Sequence, residues 1–291
     1  MDAVLLALGS ALLFGAMTVA LRFALRAYPA PDLGAVVTTG AGLVIVGLAA
    51  VFGRETGELA HPRELAVFAL VGVLAPGLSQ LLFMLAVRDA GSSRASVVVG
   101  AAPLVAATLA IVFLDEPLRA PLALGAVLIV TAGILLVREP ARPEHFRAAG
   151  LVFAVVATLL FSTRDVILRW YSEEAALGSL GAAASSLAAG WLVVAVFAAV
   201  ARRREPLRTL LRPGIAAFVP AGLCFGFSYV FLFEAYYRGN VTVVSPLVAT
   251  ESLWTVLLSA LLLRQSELVG PRLVLGAALV VVGGILIGAY Q

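Results

Sequence analysis

The sequence has no lysine, a single cysteine and few charged residues of any kind. All 20 of its basic residues are arginine, and charged residues make up only 13% of the 291 positions. With Cys224 as the one cysteine, an intrachain disulfide is impossible. Soluble domains carry about 25% charged residues, so this chain lacks the polar surface that such a domain presents to water.

The motifs of several function classes are also missing. The sequence has no Walker motif, no zinc-protease motif and no set of cysteines and histidines at metal-binding spacing. Its histidines, His61 and His145, both lie in polar loops without a plausible ligand partner nearby. Basic residues interleaved with aromatic ones, which would indicate nucleic-acid binding, do not occur. We therefore expect no ATP-driven pump, no metal site, no cofactor and no nucleic-acid partner.

Long apolar runs are what the sequence has instead. Hydrophobic residues make up 62% of the chain, and its mean hydropathy is +1.06. Turns and charges divide it into about ten spans of roughly 20 residues, the length of a helix that crosses a bilayer. We predict an all-α membrane protein with about ten transmembrane helices and the lipid bilayer as a partner. The predicted spans are 3–25, 33–52, 65–87, 95–114, 119–137, 148–170, 177–200, 214–237, 241–263 and 271–290.

The chain also contains two copies of one pattern. Leu12-Leu13-Phe14 returns as Leu159-Leu160-Phe161, at an offset of 147 residues (161 − 14). We predict a first five-helix repeat at residues 1–138, a polar linker at 139–147 and a second five-helix repeat at 148–291. With five spans in each repeat, the second repeat enters the membrane from the opposite side. The repeats should therefore have inverted topology around a central cavity, as in many transporters.

The loop arginines predict an orientation. The odd-numbered loops carry 13 arginines and the even-numbered loops carry 4, leaving out Arg22, Arg164 and Arg169, which lie within spans. Because the arginine-rich side of a membrane protein faces the cytoplasm, both termini should lie outside. We expect a multi-pass protein of the plasma membrane (the inner membrane of the cell).

Short motifs in both halves resemble those of a known family. They are Leu12-Leu13-Phe14-Gly15, Ala101-Ala102-Pro103-Leu104, Phe113-Leu114-Asp115-Glu116-Pro117-Leu118, and Gly125-Ala126 with Gly133-Ile134-Leu135, which returns as Gly276-Ala277 with Gly284-Ile285-Leu286. With these motifs the chain resembles the drug/metabolite transporter superfamily, specifically its EamA-type ten-helix members. The resemblance covers nearly the whole chain.

The resemblance implies alternating-access transport and no enzymatic activity. It implies a cavity lined by the first, third, fourth, sixth, eighth and ninth spans. It leaves the substrate open, since the family exports amino acids, metabolites, drugs and sugars. Members often have cytoplasmic termini, opposite to the orientation that the arginines predict. They also often have proline in the ninth span, where this chain has Glu251-Ser252-Leu253-Trp254.

Two neighbouring charges, Arg164 and Asp165, lie about two-thirds of the way along the sixth span. Their counterparts in the first repeat are the uncharged Met17 and Thr18. A charge at membrane depth costs from about 2.5 kcal/mol upward and normally faces a bundle interior or a cavity. We predict that both residues line the substrate cavity. The alternatives are a structural charge pair between helices, or an arginine that reaches to the membrane interface.

Glu251 lies near the middle of the ninth span, with Trp254 beside it. A carboxylate removed from water favours its neutral form, so this group can carry a coupling proton or bind a substrate ammonium group. The alternative is a buried pair with Arg164 or another donor. Trp254 is a candidate for stacking on a planar substrate, although large aromatic residues in spans more often serve packing.

Gln80 and Tyr229 occupy equivalent positions in the two copies, at an offset of 149 residues (229 − 80), and each follows a serine. These side chains, together with Ser228, are candidates for hydrogen-bonding walls of the cavity. Hydrogen bonds between helices are at least as common for such residues in membranes.

These observations predict a secondary transporter that moves a small polar or amphipathic, amino-acid-like metabolite, as an exporter. A proton-coupled exporter of drugs or cations is the alternative. A membrane-embedded enzyme or scaffold is less favoured, because intramembrane catalysis would need more converging acid and base groups. The sequence leaves open the substrate, the coupling ion and the oligomeric state.

Overall fold

The computed structural model of the chain describes residues 2–53, 61–105, 108–109, 120–138, 146–172, 176–203, 207–239, 241–263 and 269–288. Over these ranges the chain forms helices joined by turns, without a strand. A π-helical segment, Val73–Leu78, connects α3 to α4. The helices are α1 Ala3–Ala27, α2 Pro31–Phe52, α3 Pro62–Gly72, α4 Ser79–Ala90, α5 Ser92–Val99, α6 Ala120–Val137, α7 Ala149–Ser172, α8 Ser179–Ala201, α9 Leu207–Arg238, α10 Val241–Ala249, α11 Glu251–Leu262 and α12 Pro271–Gly288.

Within the described part of the chain, seven helical segments are long and apolar enough to cross a membrane. Three shorter apolar helices, Ser92–Val105, Ala123–Leu136 and Pro271–Ile287, lie at the fourth, fifth and tenth predicted spans. The all-helical class is confirmed for the described residues, while the count of ten crossing helices stays a prediction. The end of the fourth span and most of the linker 139–147 lie outside the described residues.

Apolar side chains cover the outside of the bundle and polar ones lie inside it. Phe52 is 82% exposed and Val127 is 60% exposed, whereas Gln80 and Arg94 are at most 1% exposed. A soluble protein shows the opposite distribution. The arrangement is that of a bundle surrounded by lipid, in which polar groups must find partners within the protein.

Proline and glycine set several helix boundaries. α2 and α3 begin at Pro31 and Pro62, where a missing amide hydrogen costs no helical hydrogen bond. Gly91 joins α4 to α5 with a φ of 93°, a left-handed conformation that favours glycine. The turn between these helices is consequently a single residue.

The third predicted span is a broken helix. Within the π-helical segment, Ala75 has φ −145° and ψ 113°, which are not helical, and Pro76 follows it. At the break, the Ala75 carbonyl is released from the helical hydrogen-bond pattern. Two side chains of the second half donate hydrogen bonds to it instead. Ser186 donates to this oxygen over 3.3 Å and Tyr229 donates over 3.4 Å.

The helices of the two halves pack in a reciprocal pattern. α1 packs against α9, and its counterpart α7 packs against α4. α2 packs against α9, as its counterpart α8 packs against α3 and the π-helical segment. Two pairs of equivalent helices, α2 with α8 and α6 with α12, also contact each other directly. A third contact joins α5 to α11, which come from the equivalent fourth and ninth spans.

In each of these three contacts the two helices run antiparallel. In α5 and α11, the hydroxyl groups of Ser92 and Ser259 lie 2.9 Å apart, so the start of one helix meets the end of the other. In α6 and α12, a Cβ atom added to Gly125 would lie 2.6 Å from the Gly283 carbonyl oxygen. A Cβ atom on Gly283 would lie 2.7 Å from the Gly125 carbonyl oxygen. Only glycine permits this approach of the two backbones.

Candidate functional site

A narrow cavity lies between α1, α7, α9, α10 and α11, with α5 and the residues after it contributing two apolar side chains. It has room for only a few water molecules. Five of the six spans that the resemblance implied contribute to its lining. The third span contributes no lining residue among those described. The charged lining residues are Arg164, Asp165 and Glu251, and the hydroxyl-bearing ones are Ser10, Ser228, Tyr229, Tyr236 and Ser245.

Arg164 and Asp165 form a buried ion pair in the cavity wall. The Nε atom of Arg164 donates to Oδ1 of Asp165 over 2.9 Å, and the Nη2 atom lies 2.8 Å from the same oxygen. The two residues are 6% and 8% exposed. Adjacent helix positions point about 100° apart, so the pair forms because the long arginine side chain bends back along α7.

Two aromatic rings flank the Arg164 guanidinium. Its central carbon lies 5.2 Å from the ring centroid of Phe161 and 5.5 Å from that of Tyr229. Both distances are within the range of cation–π attraction. A guanidinium has five N–H donors, so beyond its contacts with Asp165 and Tyr229 it keeps donors for a further acceptor, such as a substrate carboxylate.

Glu251 brings a second negative charge to the same cavity. It is 4% exposed and is the first residue of α11, where the helix dipole favours a carboxylate. The charges that act on it are Arg164, which attracts it, and Asp165, which repels it. No residue in the described part of the chain donates a side-chain hydrogen bond to Glu251. The cavity therefore contains one positive and two negative side chains.

Tyr229 and Ser228 line the cavity, but their hydroxyl groups are bonded elsewhere. The Tyr229 hydroxyl lies 3.3 Å from the Ser186 hydroxyl and donates to the Ala75 carbonyl. The Ser228 hydroxyl donates to the Ser10 carbonyl over 3.0 Å. The hydroxyl groups of these two residues, which were predicted to bind substrate in the cavity, thus form hydrogen bonds between helices. The Tyr229 ring faces Arg164.

Gln80 and Trp254 are not among the cavity-lining residues. Gln80 is fully buried in α4, and neither atom of its amide has a hydrogen-bond partner among the described residues. Trp254 packs against α1, where a Cβ atom on Gly15 would lie 2.9 Å from the Trp254 Cβ. The structure therefore brings Arg164, Asp165 and Glu251 together in the cavity lining, which does not include these two residues.

An aromatic cluster beside the cavity was not predicted from the sequence. Phe14 and Phe161, equivalent residues of the two repeats, both line the cavity with ring centroids 6.1 Å apart. The buried Phe83 ring lies 5.4 Å from Phe14 and 6.1 Å from Phe161. The sequence signal for this cluster is phenylalanine at equivalent positions in both copies. Equivalent residues of two repeats meet when they lie near the axis that relates the repeats.

Tyr236 was also missed. It is fully buried in α9, and its hydroxyl faces Asp165 and Ser245 without a hydrogen bond of good geometry. Tyr229, Leu232 and Tyr236 recur at helical spacing, which predicts one face of α9.

The cavity lies nearer one face of the bundle. We name this the N-terminal face, because it is the face at which α1 begins and α9 ends. Contact between these ends is close, since a Cβ atom on Gly239 would lie 2.6 Å from the Ala3 Cβ. Tyr236 lies within one turn of the end of α9. Phe83, which comes from the other half of the chain, packs on the side of the cavity that is farther from this face.

Known proteins share the fold and the sequence pattern. A crystal structure of a protein with 20% sequence identity matches with a TM-score of 0.68, covering 98% of this chain and 95% of that one. At this identity the likeness shows the fold alone. No curated protein matches the chain in sequence. The pattern of a family of multi-pass membrane transporters matches residues 1–138 and 148–289, nearly the whole chain. The chain therefore belongs to the EamA-like transporter family, within the drug/metabolite transporter superfamily.

Proposed function

We propose that the protein is a secondary transporter that exports a small, amino-acid-like metabolite across the plasma membrane by alternating access. The observation that carries this proposal is the charge set of the cavity. Glu251 faces the cavity without a hydrogen-bond donor among the described residues, beside an Arg164–Asp165 pair that is already neutral. A substrate ammonium group would neutralise Glu251, and a substrate carboxylate would accept from the remaining N–H donors of Arg164.

The packing of the halves supports alternating access between inverted repeats at 1–138 and 148–291, joined by the linker 139–147. Where equivalent helices meet, as α2 meets α8, they run antiparallel. Asp32 at the start of α2 accepts from Arg202 at the end of α8 over 2.9 Å. A twofold axis in the membrane plane relates such pairs, and rocking of one repeat against the other would open a central site to each side in turn.

The same charge set favours a second function, the proton-coupled export of a cation. With both carboxylates ionised, the three charged side chains carry a net charge of −1. A proton on Glu251 or a monovalent organic cation beside it would each bring the cavity to neutrality. Competition of the two for one carboxylate would couple proton entry to cation export. This function does not need a substrate carboxylate at Arg164.

Ligand binding tests and separates the two functions. We expect an amino acid that is a substrate to raise the melting temperature of the purified protein, because a ligand that binds the folded state stabilises it. Its N-acetyl derivative should have no effect, since the ammonium group is lost. An amide of its carboxylate should stabilise the protein only if the site takes cations. Stabilisation by sugars or nucleotides, with none by amines, would overturn both proposals.

The orientation is tested by labelling. In a Cys224→Ala background, we expect an impermeant thiol reagent added to intact cells to label Gln291→Cys but not Arg208→Cys. The physical reason is the excess of arginine in the odd-numbered loops, which places that side in the cytoplasm. Labelling of the Arg208→Cys variant alone would reverse the orientation. With the termini outside, the N-terminal face and the cavity near it would face the exterior.

A further inference from the structure

Contacts between the halves identify which residues of α2 and α8 are equivalent. A Cβ atom on Gly226 would lie 3.0 Å from the Cα atom of Gly42, and one on Gly77 would lie 3.4 Å from that of Gly190. Gly77 and Gly226 are counterparts at an offset of 149 (226 − 77). The matching contacts therefore make Gly42 and Gly190 counterparts at an offset of 148 (190 − 42).

The same offsets relate two pairs of polar residues. Thr38 corresponds to Ser186 (186 − 38 = 148) and Gln80 corresponds to Tyr229 (229 − 80 = 149). In the second repeat the pair is bonded, with 3.3 Å between the hydroxyl groups of Ser186 and Tyr229. The same two hydroxyl groups lie 3.3 and 3.4 Å from the Ala75 carbonyl oxygen of the broken span. Because each hydroxyl carries one proton, two of these three contacts are hydrogen bonds at a time.

In the first repeat the corresponding pair is unbonded. Gln80 and Thr38 are 0% exposed, and neither the Gln80 amide nor the Thr38 hydroxyl has a hydrogen-bond partner among the described residues. They lie one helical turn from a contact between α2 and α4, in which a Cβ atom on Gly34 would lie 2.9 Å from the Met84 sulfur. Because these consecutive spans are antiparallel, moving one turn along each brings Thr38 and Gln80 to the same depth.

Buried polar atoms without partners are rare and destabilise the state in which they occur. We propose that Gln80 and Thr38 are positioning residues that hydrogen-bond to each other when the transporter opens to the face opposite the N-terminal face. Tyr229 and Ser186 stabilise the state described above. This inference rests on the proposed alternating access, in which the two repeats exchange conformations. Each state then has one pair bonded and the other unbonded.

The bonded pair is connected to the cavity through Tyr229. Its hydroxyl is bonded to the broken span at Ala75, while its ring lies 5.5 Å from the Arg164 guanidinium carbon. Release of the hydroxyl allows the ring to leave the guanidinium. A ligand on Arg164 therefore biases the equilibrium between the two states through this one side chain.

Labelling of a cysteine in the cavity tests the inference without any substrate. In a Cys224→Ala background, Val248→Cys places a thiol in the cavity lining. The measured quantity is the rate of labelling by an impermeant reagent from the N-terminal face, divided by the rate from the opposite face. Intact cells present one face to the reagent and inside-out vesicles present the other.

In the state described above, Gln80→Leu removes an amide that has no partner. In the state that opens to the opposite face, it removes the hydrogen bond to Thr38. We expect it to raise the labelling ratio about fivefold or more. Thr38→Val should raise the ratio as well, and the double variant should exceed neither single effect by much, since both changes remove the same bond. Tyr229→Phe should lower the ratio, because it removes hydrogen bonds from the present state only.

Thr39→Val is the matched control for Thr38→Val. Thr39 is also fully buried in α2, but its hydroxyl donates to the Ala35 carbonyl of the same helix over 2.7 Å. A hydrogen bond within one helix is kept when the repeats move against each other, so its loss affects both states alike. The labelling ratio should not change.

The outcomes separate this inference from the proposed function. An unchanged ratio in both Gln80→Leu and Thr38→Val, or a shift toward the opposite face, overturns the pairing of these residues. A shifted ratio in a protein that binds no amine-bearing compound would support the pairing and overturn only the proposed substrate. Labelling from one face alone in every variant would overturn alternating access itself.

Discussion

Replacement of Arg164 by alanine is expected to abolish transport and to destabilise the protein by about 3–5 kcal/mol. The loss of stability arises because Asp165 would remain buried without the guanidinium that lies 2.8 Å from it. The loss of transport arises because the cavity would lose its only cation among the described residues. Uptake into vesicles and the melting temperature of the purified protein measure the two effects separately.

A double variant distinguishes a structural role of Arg164 from a functional one. Arg164→Ala combined with Asp165→Ala leaves no unpaired charge in α7, so stability should largely recover while transport stays absent. Arg164→Lys preserves the charge but loses the planar group between Phe161 and Tyr229, so its transport should be intermediate. Recovery of transport in the double variant would show that the ion pair serves only the packing of the helices.

Replacement of Glu251 by glutamine should lower transport about 30-fold or more, with the protein equally stable or more so. Loss of a close charge pair with the substrate costs about 2 kcal/mol or more, which corresponds to this factor. Stability should not fall, because the neutral amide has nearly the same shape and removes a buried charge that lacks a hydrogen-bond donor. Initial rates of uptake into reconstituted vesicles, with melting temperatures alongside, measure both effects.

Glu234→Gln is the matched control for Glu251→Gln. Glu234 is a mostly buried carboxylate in α9, but it is bonded to Ser179 and Arg238 and does not line the cavity. We expect transport by this variant to stay within about twofold of the unmodified protein, as is usual for a change outside a binding site. Normal transport by both Glu251→Gln and Arg164→Ala would assign the charges to structure, and the ring of Tyr229 would become the residue to test next.

The two proposed functions also differ in how they respond to these variants. If the protein exports cations in exchange for protons, Glu251→Gln and a neutral residue at Asp165 should each stop transport of a cationic dye. Arg164→Ala combined with Asp165→Ala should then retain some dye transport through Glu251. An amino-acid transporter would lose transport in the same double variant, because the carboxylate of the substrate has no donor left.

The three charged side chains lie in one cavity for a physical reason. Arg164, Asp165 and Glu251 were predicted to line one cavity although they lie on two distant spans. A charged side chain cannot face hydrocarbon cheaply, so every such residue at membrane depth must turn toward the interior of the bundle. Because the helix bundle has one interior, the charged side chains come together there.

The prediction for Gln80 shows where this reasoning ends. An amide in a span must also turn inward, but its cost is too small to require a cavity, and it can pack between helices instead. The break at Ala75 also changes the direction of the helix that carries Gln80. Periodicity along the sequence therefore does not predict which neighbour this residue faces.

The sequence by itself determined the helical class, the membrane as solvent, the duplication and the inward position of the charges. These properties follow from the length of apolar runs, from repeated spacing and from the cost of placing charge in lipid, none of which requires a neighbouring helix. Only the tertiary structure decided that Arg164 pairs with Asp165, that Glu251 is left without a hydrogen-bond donor among the described residues, and that Tyr229 turns its hydroxyl toward Ala75. Each of these depends on which donor lies within about 3.5 Å of which acceptor, and that distance is set by the packing of helices far apart in the chain.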